Sequence, residues 1–217
     1  MRRQGDDPMY LDRHQIVHID PAAWPALVDA QPDLKAISVI KEWAILGRPL
    51  IARRRVCSDV AGRVPLGLPL PRSMGKQRLA FAVAPEVVTS TSLPPLLTDA
   101  IPFAPVAWRP TLAALVAIEP DVRCFGSLAW ECLTGLPYIS ATSDIDLLWQ
   151  VLRTRDADAL VAAIAPIEAS APMGIDGELV APSGLAIQWR EWASSASDVL
   201  AKARDGNQMI PRQSVFA

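Results

Sequence analysis

In the second half of the 217-residue chain, apolar positions fall into two periods. Ile145, Leu147 and Trp149 recur at every second residue, as in a strand with one buried face, so residues 145–151 are predicted to be a strand. The segment 156–164 instead repeats at helical spacing and predicts an amphipathic helix interrupted by Pro166. Residues 111–119 read as another helix and 122–125 as a short strand, after which Gly126-Ser127 opens a helix to about Thr134. Residues 178–180 and 185–192 read as two strands joined by Ala-Pro-Ser-Gly, a hairpin signal. Strands alternating with helices and ending in a hairpin predict an α/β or α+β sheet domain.

The first half is less regular. Residues 16–19, 50–56 and 79–83 read as strands, and Asp20-Pro21 as a helix start. Leu34, Ile37, Ile40 and Ala44 predict a helix over 32–44, and the GLPLPRSMGK segment (67–76) reads as a loop. Six of the 20 prolines fall between Pro85 and Pro110. Proline lacks an N–H donor and disfavours helix in the residue before it, so this stretch is expected to be an irregular connector. The predicted organisation is a smaller N-terminal α+β domain over 1–84, a connector over 85–110 and a second domain over 111–217.

Composition places the chain among ordinary globular proteins, with 51% hydrophobic and 20% charged residues. The three cysteines, Cys57, Cys124 and Cys132, have no CxxC spacing and are expected as reduced, mostly buried thiols in a cytoplasmic protein. Two histidines, His14 and His18, are too few for a multi-histidine metal site. No apolar run approaches the ~20 residues that span a bilayer, and the MRRQGDDPMY start has no apolar signal region, so no membrane partner is expected.

A formal net charge of −2 argues against polyanionic partners until it is resolved by segment. Residues 48–78 carry eight basic side chains and one acid, Asp59, a local charge of +7 against −9 elsewhere. Seven of the eight are arginine, whose guanidinium suits forked phosphate contacts. Aromatic residues to stack bases are scarce there, so a compact polyphosphate or an acidic protein fits better than nucleic acid. Arg53, Arg54, Lys76 and Arg78 are the candidate phosphate ligands, and a solvated basic face is the plain alternative.

Ser143-Asp144-Ile145-Asp146-Leu147-Leu148-Trp149 carries the chemistry. On a strand Asp144 and Asp146 point to the same side, opposite the apolar set. Two carboxylates so close repel unless a cation lies between them, and Mg²⁺ takes such hard oxygen ligands together with substrate phosphates. Upstream, Phe125-Gly126-Ser127 ends a strand and opens a helix, whose N–H groups and dipole favour a phosphate. The predicted hairpin carries three further carboxylates, Asp176, Glu178 and Glu191. Glu191 alternates in phase with Leu185, Ile187 and Trp189, which makes it harder to explain as solvated surface than Glu178.

The order strand, Gly-Ser, helix, loop, strand with Asp-x-Asp resembles the DNA polymerase β-like nucleotidyltransferase superfamily over roughly residues 111–195. The resemblance implies an α+β palm domain, with a mixed sheet flanked by helices, in which Gly126 and Ser127 cradle a triphosphate, Asp144 and Asp146 hold magnesium, and a third carboxylate stands on a neighbouring strand, with Glu191 favoured and Glu178 second. Sixteen residues separate Ser127 from Asp144, slightly more than in small members of the superfamily, and the extra length falls in 135–143.

Arg13-His14, GRPLIARRR (47–55), PLGLPLP (65–71), GKQRLAFAV (75–83), FGSLAWECLTGLPYI (125–139), SDIDLLW (143–149) and DGELVAPSGLAIQWREW (176–192) together resemble a narrower family, the malonate decarboxylase holo-acyl-carrier-protein synthases, or phosphoribosyl-dephospho-CoA transferases. That likeness implies transfer of a phosphoribosyl-dephospho-CoA group from 2′-(5″-triphosphoribosyl)-3′-dephospho-CoA to a serine of the decarboxylase's acyl carrier subunit, with loss of pyrophosphate. Glu191 or Glu178 would then complete the metal site or act as base, and the arginine-rich segment would bind the precursor or steer the carrier. Two alternatives stay open: a nucleotidyltransferase that uses ATP, and a non-catalytic adaptor for an acidic carrier protein.

Overall fold

The structure, a computed structural model, describes residues 11–216 except 32, 33, 35, 36, 76, 195, 204 and 205. The chain divides between Leu93 and Pro94 into two compact units, a point inside the proline-rich stretch.

The first unit is a five-stranded antiparallel sheet in the order β4-β3-β2-β1-β5, built from β1 (Ile16–Ile19), β2 (Leu50–Ala52), β3 (Val64–Pro69), β4 (Arg78–Val83) and β5 (Val88–Ser92). Asp20 caps a 3₁₀ turn through the Ala22 N–H, as the Asp-Pro signal predicts, and α1 (Trp24–Asp29) follows. Of the helix expected over 32–44, residues 32, 33, 35 and 36 lie outside the described residues; among the others α2 spans Ser38–Lys41 and is followed by turns. Trp24 and Trp43 are both fully buried and donate their indole N–H groups to the carbonyls of Ile40 and Pro49, so each ring fills the core with its polar atom satisfied.

Strand β3 overturns the loop expected at 67–76, at least as far as Pro69. Val64, Leu66 and Leu68 are buried in strict alternation with Pro65, Gly67 and Pro69. The Leu70 N–H donates to the Gln77 carbonyl across the β3–β4 pair, which sets the parity of the ladder. Even-numbered residues therefore bond to β4, and the prolines point their missing donors away from it. On that side β2 pairs with Leu66 and Gly67, and the following Arg53 N–H donates to the Pro65 carbonyl, a bond proline can still accept, so the two prolines cost the sheet little. The 85–110 stretch is likewise not irregular. It contributes β5 and α3 (Leu97–Ala100), with 3₁₀ turns at Pro85–Val87, Ile101–Phe103 and Val106–Trp108; in the first two a proline at the start brings a fixed φ that suits a short helical turn.

The second unit is a six-stranded mixed sheet in the order β11-β10-β9-β8-β7-β6. Its elements are α4 (Arg109–Ile118), β6 (Arg123–Phe125), α5 (Gly126–Thr134), β7 (Ile145–Gln150), α6 (Thr154–Glu168), β8 (Ile175–Val180), β9 (Ala186–Gln188), α7 (Trp189–Ala193), β10 (Asp198–Lys202) and β11 (Asn207–Pro211). Only β7 and β8 run parallel, joined by the crossover helix α6. The unit is α+β, as expected. Ile145, Leu147 and Trp149 enter one core with Leu112 and Leu115 of α4 and Val161 and Ile164 of α6. Pro166 lies in the last turn of α6 and does not end the helix, which runs on to Glu168.

The strand predicted over 185–192 stops at Gln188. There the Gln188 side chain accepts from the Arg190 and Glu191 N–H groups and starts α7. Trp189 and Trp192, three residues apart and both buried, follow the helical period. Strands β10 and β11 lie beyond the last element read from the sequence. No helix among the described residues is long and apolar enough to cross a membrane.

Candidate active site

Alternation along β7 sends Asp146 to the face opposite Leu147 and Trp149, and Asp144 stands immediately before the strand. In the parallel pair, Asp146 is in register with Asp176 of β8. Asp144, Asp146 and Asp176 each offer one carboxylate oxygen, and these three atoms lie within 4.8 Å of one another. Asp144 is exposed and the other two are half-buried. Three anionic oxygens this close repel when nothing lies between them, and the all-oxygen donor set fits a hard divalent cation such as Mg²⁺.

The carboxylate that the fold brings beside the aspartate pair is therefore Asp176, not the favoured Glu191 or the second choice Glu178. Glu191 belongs to α7 rather than to a strand, so alternation with Leu185 and Ile187 does not reach it, and its side chain accepts from the Leu200 N–H. Glu178 shares a face with Asp176 but is 4% exposed and bonds the Lys202 ammonium at 2.7 Å. The signal for Asp176 lies in the sequence: Ile175 and Leu179 alternate with Asp176 and Glu178 once the strand is started three residues earlier than predicted.

Helix α5 packs its first residue against the same cluster. Gly126 has φ +65°, in the left-handed region, and a Cβ there would fall inside the Asp146 carboxylate, 2.7 Å from Cγ. Only glycine allows this approach of backbone to carboxylate. Phe125, the N-cap residue, supplies no side-chain cap, and Ser127 follows Gly126 in the first turn. The helix start therefore presents backbone N–H groups and a hydroxyl beside the aspartates.

The 135–143 segment is tied to the same helix. Gly135 ends α5 in the left-handed conformation, and Glu131 accepts from the Tyr138 and Ile139 N–H groups at 3.0 and 2.9 Å. Glu131, which the sequence reading did not single out, thus fixes the approach of the chain to Asp144. Cys124, on β6 beneath this corner, is fully buried. Burial first, then the neighbouring Cys132, pushes its thiol up to about 12, which keeps it protonated and inert. Cys132 is half-buried and Cys57 exposed, so only one of the three cysteines is fully buried, and no disulfide joins them.

In the first unit, the expected phosphate ligands separate. Arg53 spends four of its five N–H groups internally: Nε on the Leu66 carbonyl, one terminal nitrogen on the Arg54 carbonyl and Asp59, and the other on Asp59. Together with the Val56 N–H bond to Asp59, this makes Arg53 a strut of the 53–63 loop and removes it from the phosphate-binding set. Arg55 donates to the Val60 and Arg63 carbonyls of the same loop. Arg54 is half-buried and Arg78 exposed at the start of β4, while Lys76 lies outside the described residues.

The hydrogen bond from Arg53 holds the Asp59 carboxyl below its ordinary value of 3.8. A depressed pKa stabilises the fold above the unfolded-state value, and that contribution is lost as pH falls through the folded one. Asp59→Asn is therefore expected to lower stability by about 1–2 kcal/mol near pH 7, the scale of a charged hydrogen-bonded pair partly open to water. In thermal melts at several pH values, the gap from the parent should close as the buffer is acidified below about pH 4. A gap that persists unchanged in acid would count against the pair as its source.

Comparison with known proteins bears on what this geometry does. Residues 12–94 match the family model described as phosphoribosyl-dephospho-CoA transferase MdcG N-terminal domain, and residues 96–213 match that of the MdcG C-terminal domain. A phosphoribosyl-dephospho-CoA transferase of Bradyrhizobium diazoefficiens is 43% identical over 214 residues, covering 97% of this chain and 93% of that protein. One from Xanthomonas euvesicatoria is 40% identical over 214 residues, with 94% and 96% covered, and one from Pseudomonas putida is 33% identical over 182 residues, with 78% and 83% covered. No solved structure matches the chain.

Proposed function

The chain belongs to the phosphoribosyl-dephospho-CoA transferase family, and from that footing we propose that it moves the phosphoribosyl-dephospho-CoA group of 2′-(5″-triphosphoribosyl)-3′-dephospho-CoA onto a serine of the malonate decarboxylase acyl carrier subunit. The observation that carries this reading at the level of chemistry is the meeting of Asp144, Asp146 and Asp176 beside the glycine that opens α5. A carboxylate cluster next to the N-terminus of a helix is suited to a polyphosphate.

In the proposed step the seryl oxygen bonds to the innermost phosphorus of the triphosphate. The bond from that phosphorus to its bridging oxygen breaks, and pyrophosphate leaves with the electron pair. The seryl proton passes to a carboxylate of the cluster, and Asp144, its exposed member, is our choice. Gly126 and the following N–H groups of α5 hold the outer phosphates, and the Ser127 hydroxyl adds one more donor. Asp144, Asp146 and Asp176 would hold Mg²⁺, which would supply neutralisation of the charge that builds on the leaving group. Arg54, Lys76 and Arg78 remain the phosphate-binding candidates of the basic segment, serving the precursor or an acidic carrier surface. The reaction is assigned to the cytoplasm, in keeping with three unbridged thiols.

Intact-mass spectrometry tests the assignment. The carrier subunit incubated with this protein, the triphosphoribosyl precursor and Mg²⁺ should gain one phosphoribosyl-dephospho-CoA group on its serine. The same mixture with ATP in place of the precursor should gain nothing. An unchanged carrier with the precursor, or an adenylyl gain from ATP, would overturn it.

A further inference from the structure

Asp176 differs from its two partners in how it is held. Its Oδ1 accepts from the Gly177 N–H at 2.9 Å and from the Gln188 side-chain amide at 2.8 Å. Two donors fill that oxygen, so Oδ2 is the one left for a cation. The Gln188 amide is doubly engaged, because its own oxygen accepts from the Arg190 and Glu191 N–H groups at 2.6 and 3.1 Å and so caps α7. Those bonds also fix the orientation of the amide, since the oxygen must face the helix and the nitrogen must face Asp176. A second cation near Asp176, Arg190, stands 3.8 Å from Oδ1, is 43% exposed and is also paired with Glu168, so its hold is the weaker.

We propose that Gln188 is a positioning residue of the carboxylate cluster, which aims Asp176 by joining it to the N-terminus of α7. The proposal rests on the cation-binding reading of the cluster given above. Outer residues that hydrogen-bond a ligating carboxylate typically change metal affinity by roughly 10- to 100-fold when replaced. Gln188 is suited to a test because its two tasks can be separated. Serine and asparagine both cap helices well, yet both are too short to span from the cap to Asp176.

Mn²⁺ binding to the full-length protein, measured by titration calorimetry without substrate, is the readout, with thermal melts alongside. Gln188→Ser and Gln188→Asn are expected to melt within a few degrees of the parent and to bind Mn²⁺ roughly 10-fold or more weakly. Asp144→Asn with Asp146→Asn should abolish binding. If either folded Gln188 variant binds Mn²⁺ within twofold of the parent while the double aspartate variant does not bind, Gln188 does not position the site but the cation reading stands. If the double aspartate variant binds as the parent does, the cation reading falls and the role of Gln188 falls with it.

Discussion

Asp144→Asn combined with Asp146→Asn should reduce transfer to the carrier by about three orders of magnitude or more, with the fold intact. The size follows from the charge these residues would manage in the proposed step. Stabilising the charge of a departing pyrophosphate is worth several kcal/mol, and each 1.4 kcal/mol or so is tenfold in rate. The fold should survive because the two side chains do not fill the core: Asp144 is exposed, Asp146 half-buried, and Ile145, Leu147 and Trp149 stay where they are. Removing two like charges from three oxygens within 4.8 Å of one another relieves repulsion in the metal-free protein. The variant should therefore melt at or slightly above the parent without Mg²⁺ and should lose the parent's rise in melting temperature when Mg²⁺ is added. Transfer rates by mass spectrometry and paired melts with and without Mg²⁺ check both halves. Transfer within tenfold of the parent would remove these aspartates from the chemistry and revive a non-catalytic adaptor.

Gly126→Ala should be nearly as damaging, for a different reason. The new methyl group would occupy the space of the Asp146 carboxylate, and the backbone at φ +65° would carry the strain of a left-handed residue, about 1–2 kcal/mol. Either Asp146 leaves the cluster or the first turn of α5 shifts, and both move the groups that meet the phosphates. A misplacement on the order of 1 Å can cost about 10²-fold in rate. Gly135 is the control, at the other end of the same helix. It has nearly the same φ, +68°, yet a Cβ there meets nothing within 4 Å. Gly135→Ala should lose comparable backbone stability and keep its rate, while Gly126→Ala should lose both. Equal rates for the two variants would show that the close approach of Gly126 to Asp146 is not needed.

The parts of this site that were legible in the sequence are those fixed by local pattern. The strand at 145–150 and the helix opening at Gly126 emerge where predicted, because period-2 burial and a Gly-Ser start are short-range signals. The face that Asp176 occupies is legible once β8 is started at Ile175, but its place opposite Asp146 depends on a parallel pairing across the α6 crossover, and register between distant strands leaves no local trace. The preference for Glu191 had a specific cause. Leu185, Ile187 and Trp189 mimic a strand, and the competing helical pair Trp189 and Trp192 with the Gln188 cap decides the local structure instead. In the first unit Pro65 and Pro69 disguised β3, although Val64, Leu66 and Leu68 carried a clean alternation. Arg53 showed the limit of counting charges, since composition cannot distinguish an arginine bound to Asp59 and backbone carbonyls from one that faces a ligand.

The pairing of Asp146 with Asp176 also makes activity a report on assembly. Shift β8 by one residue along β7 and Ile175 or Gly177 would stand opposite Asp146, while the core would receive Asp176 in place of an apolar neighbour. Gly177 narrows the choice further, since in the native register its missing side chain admits the Trp149 ring and any larger residue at that point would strike it. A chain that has joined these two strands one residue out of register therefore forfeits its carboxylate cluster and its packing in the same slip.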